Sequence, residues 1–132
     1  MKRIMALLLV LFILTGCSST GITKDEKSPV DFTVVEKSAV PEDFFVVLEE
    51  KKSEKFTMSY TIDGYLYIAV GYGEQSSGGY SIKVEELYET KSNLFINTTL
   101  VGPREGEAVN KMATCPYIVV KTEYMDKNII FE

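Results

Sequence analysis

Histidine is missing from all 132 residues. Its absence excludes imidazole general bases, Ser-His and Cys-His nucleophile pairs, and the usual zinc ligand sets. An excess of base is also lacking: 14 Lys and Arg stand against 19 Asp and Glu, a formal charge of -5. If residues 1–16 are removed, Lys2 and Arg3 go with them, leaving 12 against 19, or -7. A surface of that sign repels phosphate backbones and anionic lipid, which argues against nucleic-acid binding and polybasic membrane attachment. No Asp-x-Asp-x-Asp-Gly loop accompanies the acidic pairs Glu49-Glu50, Glu85-Glu86 and Glu105 with Glu107. These pairs therefore read as solvated surface, with no metal site and no acid-base pair among them. Internal repeats are lacking as well. What remains is 45% hydrophobic and 25% charged, enough for one packed core and one domain.

The longest apolar run, Ile4 to Leu14, is too short for a bilayer core that needs about 20 helical residues, and it follows the cationic start Met1-Lys2-Arg3. It reads as a signal peptide. The run ends in Leu14-Thr15-Gly16-Cys17, which resembles the lipobox of bacterial lipoprotein precursors. That resemblance implies a signal peptide over 1–16 and cleavage behind Gly16. Cys17 would then be the new N-terminus, bearing a diacylglycerol thioether and an acyl chain; no other cofactor is expected. Each buried methylene contributes about 0.8 kcal/mol, so two or more chains hold a soluble domain at a membrane where one does not. The implied location is the extracytoplasmic face of a bacterial cell membrane. Ser18 offers no retention-type Asp, so in a cell with two membranes the outer one is open to it. Replacing Cys17 by serine is expected to release the protein into soluble fractions, and a mature chain shown by mass spectrometry to be unacylated would refute the anchor.

Ser18 to Pro29 is small and polar and reads as a flexible tether of about 40 Å when extended, with the folded domain at 30–132. Val30 to Lys37 is β-branched and aromatic and predicts a first strand. Pro41-Glu42-Asp43, then Phe44, Phe45, Val47 and Leu48, then Lys51-Lys52, fit a three-turn helix with acids first and lysines last. Phe44, Leu48 and either Phe45 or Val47 would form its buried stripe; the competing assignment for Phe44 to Leu48 is a short strand. Phe56, Met58, Tyr60 and Ile62 alternate with polar residues, Asp63-Gly64 offers a hairpin turn, and Tyr65 to Val70 reads as a central strand covered on both faces. Tyr80 to Tyr88 follows, with a phase slip at Glu85-Glu86 that a β-bulge would produce. Leu94 to Val101 and Pro116 to Glu123 give two further strands, and Ile129 to Phe131 adds a short one at an edge. The expectation is a mainly β (α+β) domain: antiparallel, two-layered, six or seven strands and one short N-terminal helix.

Between two of these strands lies Gly71 to Tyr80, which holds four of the nine glycines. Gln75, Ser76, Ser77, Gly78, Gly79 and Tyr80 are either a demanding turn with Tyr80 packed inward or a contact surface for another polypeptide. Three features then fall in order: Gly73-Glu74-Gln75-Ser76-Ser77-Gly78-Gly79-Tyr80, Gly102-Pro103 with Gly106-Glu107, and Cys115-Pro116-Tyr117. This order, over roughly Pro41 to Lys121, resembles the C-terminal domain of the protease complex subunit PrcB family. Ser77 stands where that family favours Thr, and Cys115 where a small or hydroxyl residue is usual. The resemblance adds Pro116 and Tyr117 to the candidate surface. It implies a non-catalytic module that binds an exported protein, a protease in the family's named role. The runner-up is an inhibitor of the chagasin type, immunoglobulin-like, whose glycine loop Gln75 to Tyr80 would enter a protease cleft. That resemblance is thin, since such inhibitors use a Trp in another loop and this chain has none. With Cys17 acylated, Cys115 has no intramolecular partner and no histidine to activate it. It reads as a buried, unreactive thiol, with intermolecular pairing left open in an oxidising compartment.

Overall fold

The computed structural model describes residues 26–132. The expected signal peptide, the lipobox residues Leu14, Thr15, Gly16 and Cys17, and the expected tether as far as residue 25 lie outside the described residues. The local patterns that are strongest in the sequence form the centre of the fold. Apolar and polar residues alternate along β3 (Lys55–Ile62), and Asp63 and Gly64, at φ 52° and 79°, turn the chain back into β4 (Tyr65–Tyr72). Positive φ at both turn residues matches the right-handed twist of the two strands, which is why Asp-Gly serves there. Further on, β5 (Ser81–Glu89) pairs with β6 (Asn93–Val101), and their register slips between Val84 and Glu86, at the bulge foreshadowed by Glu85-Glu86.

Two four-stranded sheets result. Sheet I has the order β1-β5-β6-β8, and sheet II the order β2-β7-β4-β3, with β7 at Tyr117–Glu123. Leu66, Ile68 and Val70 of β4 meet Leu87, Leu94, Ile96 and Val120 between the sheets. Full burial of such side chains stabilises by about 1.5–3 kcal/mol each. Tyr67 and Ala69 point the other way, toward Val40, Phe44 and Leu48. The helix α1 (Glu42–Lys51) thus covers the outer face of sheet II and adds a third layer to the expected two. Phe44 and Leu48 are its buried residues, while Phe45 and Val47 are both half-buried.

Three expectations are corrected. Val30 to Lys37 is not one strand: β1 (Ser28–Pro29) pairs with β5 in sheet I, and β2 (Thr33–Val34) pairs with β7 in sheet II. The chain crosses between the sheets at Val30 to Phe32, where the buried Thr122 hydroxyl donates to the Asp31 carbonyl at 2.8 Å. Strand propensity was real there, but no single strand can pair in two sheets at once. Ser28 and Pro29, expected within the tether, thus form β1, and Lys27 beside them makes a 3.1 Å ion pair with Glu86. Eight strands form instead of six or seven. The third correction concerns β8 (Asn128–Phe131), which lies at the edge of sheet I as expected but runs parallel to β6. Residues 124–127 carry the chain from sheet II across to sheet I, so no hairpin sets the direction.

Candidate functional site

The glycine stretch is one of two crossovers at the same end of the sandwich. Residues 73–80 lead from β4 in sheet II to β5 in sheet I, and residues 102–116 lead back from β6 to β7. They are bonded to one another. Gln75 N–H donates to the Thr114 carbonyl at 2.7 Å, and Thr114 N–H returns to Gln75 at 3.1 Å, an isolated antiparallel bridge. Gly78 N–H donates to the Asn110 carbonyl at 2.7 Å, and the Thr114 hydroxyl donates to the Ser77 carbonyl at 2.7 Å. Each bond satisfies a loop backbone group that would otherwise depend on water.

The close approach that the glycines allow is therefore made within the chain. A Cβ at Gly79, which sits at φ 86°, would come within 2.7 Å of Val109 Cγ1 and 3.0 Å of Pro103 Cβ. Both the left-handed backbone and the contact require glycine. The Tyr80 ring lies over Gly102, where a Cβ would be 3.3 Å from its Cε1.

The eight candidate contact residues divide accordingly. Ser76 and Gly79 are exposed, whereas Gln75, Ser77, Gly78, Tyr80, Pro116 and Tyr117 are half-buried. The Gln75 side chain donates to the Tyr72 carbonyl at 3.2 Å, and the Ser77 hydroxyl to the Gly78 carbonyl at 3.0 Å. Sequence reasoning singled out Gly102-Pro103 in the other loop but missed Val109, Asn110 and Thr114, which hold the stretch, and Met112, which is 70% exposed at this end. A glycine pair signals that something comes close, but nothing local to Thr114 or Asn110 names them as that something. Cys115, expected buried, is half-buried and free.

Pro116 and Tyr117 lie at this end of sheet II, the Pro116 carbonyl accepting from Tyr72 N–H at 3.2 Å. The Tyr117 side chain turns under α1. Its ring meets Phe56 with centroids 6.0 Å apart, Lys37 Nζ lies 4.6 Å above it, and its hydroxyl is shut off from solvent without a hydrogen-bond partner. That hydroxyl is placed for packing and not for recognition. Burial, aided by the Glu49 carboxylate, pushes its pKa up to about 12 from 10.0. The folded state keeps the proton where the unfolded chain has lost it, so stability is retained below pH 10 and falls as pH rises from 10 to 12. Tyr117→Phe removes an unpaired buried hydroxyl and is expected to raise stability by about 1 kcal/mol. It should also flatten that alkaline loss, as read by denaturant titrations at pH 8 and 11. A fall in stability at pH 8 would mean that the hydroxyl is paired after all.

Comparison with curated proteins and with solved structures gives no match. The helix and β3 lie outside the stretch that a family model recognises. Residues 66–123, which run from β4 through β7 and take in both crossovers, match the family model described as PrcB C-terminal.

Proposed function

We propose that the chain is a membrane-anchored lipoprotein whose sandwich is a non-catalytic protein-binding module, an accessory or stabilising subunit of an exported protease complex. The observation that carries this reading is the coincidence of the matched stretch with the paired crossovers. Residues 66–123 include both loops of that end, where Glu74, Ser76 and Met112 are exposed. The protease connection rests on the role for which the PrcB family is named. An inhibitor that threads Gln75 to Tyr80 into a cleft needs a projecting loop. Here the stretch is held by three backbone hydrogen bonds and one hydroxyl from the neighbouring crossover, which favours docking of a broad loop end over insertion.

Affinity recovery of companions from membranes tests this reading. Wild-type chain should retain an exported protease, and Ser76→Arg or Met112→Asp should reduce recovery about tenfold or more, as for residues central to an interface. Asp126→Lys, at the opposite end, should leave it unchanged. Added purified protein should lengthen the protease's lifetime without lowering its activity. Equal recovery by all variants, or inhibition of the protease, would overturn the proposal.

A further inference from the structure

β3 is the outer strand of sheet II, paired with β4 over all eight of its residues and with no other strand among the described residues. The ladder fixes which of its backbone groups are free. Tyr72 N–H donates to Pro116 in the approach to β7, so even-numbered β4 residues address β7 and odd-numbered ones address β3. Their partners across the register are Ile62, Tyr60, Met58 and Phe56. The N–H and C=O groups of Lys55, Thr57, Ser59 and Thr61 therefore point outward, and all four residues are exposed.

Edges of this kind are normally blunted by proline, bulges, shortness or charge. The other edges in this fold are: β1 and β2 have two residues each, β8 has four, and β5, left bare beyond the two residues that β1 pairs, carries the bulge and Lys83 and Glu85. β3 has eight residues, an unbroken register and one charge, Lys55. Its Thr57 side overhangs a cleft of about 240 Å³ where sheet I stops at β8, lined in part by Val70, Thr98 and Phe131.

We propose that β3 is a dimerisation edge on which a second copy of this chain adds its own β3, antiparallel, about a twofold axis at Ser59. The sequence complements itself in that register. Thr57 faces Thr61, Met58 faces Tyr60 and Phe56 faces Ile62, while Lys55 faces Asp63 at both ends. Opposite charges meet twice and like charges never, as an isologous interface requires. Moving the axis one residue either way sets Lys55 against Thr61 or Tyr65 and loses both ion pairs. The three pairs at Thr57, Ser59 and Thr61 would exchange about six backbone hydrogen bonds. This edge is separate from the loop end, so the dimer does not depend on partner docking there; its test takes from the proposed function only the anchor at Cys17.

Cysteine crosslinking in membranes, using the full chain with Cys115→Ser, reads the register directly. Opposed residues of a hydrogen-bonded pair have Cα atoms about 5.5 Å apart, within disulfide reach. On oxidation Ser59→Cys should double in mass on a non-reducing gel, and so should the double variant Thr57→Cys, Thr61→Cys. Thr57→Cys alone should remain single. Ser59→Pro, which deletes only an outward N–H, should stay folded and lose the dimer in sedimentation of the detergent-solubilised chain. Absence of the Ser59→Cys dimer, equal crosslinking at all positions, or capture of a different polypeptide at residue 59 would each overturn the proposal.

Discussion

Phe44→Ala is expected to lower stability by about 3–5 kcal/mol, the usual cost of emptying a buried aromatic site. Phe44 is 2% exposed, and its ring stacks on Tyr60 with centroids 5.2 Å apart and planes 10° from parallel. It is the contact through which α1 covers the outer face of sheet II, alongside Leu48, Tyr67 and Val119. Most domains are stable by only about 5–15 kcal/mol, so this one truncation removes a large share. The thermal midpoint should fall by about 15 °C or more. Val46→Ala, on the exposed side of the same helix, should change stability by no more than about 0.5 kcal/mol. Similar losses for the two variants would mean that the helix is not docked by this stripe.

Gly71→Val is expected to cost about 3 kcal/mol, near the upper end for overpacking a well-filled site. Gly71 lies in β4 opposite Phe56 of β3, and even a Cβ there would overlap the Phe56 ring. The ring occupies the space that glycine leaves, with Tyr117 beside it. Because the clash is with one side chain, the loss should be coupled to it. Phe56→Ala in the Gly71→Val background should recover about 1 kcal/mol or more, a non-additivity expected only of residues in contact. Denaturant midpoints of the four members of this cycle check it, and strict additivity would contradict the packing described.

The parts of the fold that were legible in the sequence are those whose cause is local. Alternation from Phe56 to Ile62, Asp63-Gly64 and the phase slip at Glu85 each act within a few residues, and each appears where the pattern put it. The splitting of Val30 to Lys37 was not legible, because the chain there is divided between partners about sixty and ninety residues away, Tyr88 in one sheet and Val120 in the other. The parallel direction of β8 depends likewise on a crossing and not on a turn.

At the candidate site the glycines announced a close approach without naming its other half. Gly79 is shaped by Pro103 and Val109, so a substitution there disturbs the loops themselves and is a poor probe of partner contact. Ser76 and Met112, which are exposed at the same end, are the positions that separate binding from folding.

Partner binding at the paired crossovers is tested most directly by a photoreactive residue placed at Ser76 of the full chain in living cells, with a second at Asp126 on the opposite end. One larger adduct, formed from Ser76 and not from Asp126 and containing an exported protease, is the predicted result. No adduct from Ser76, or the same adducts from both positions, would contradict it.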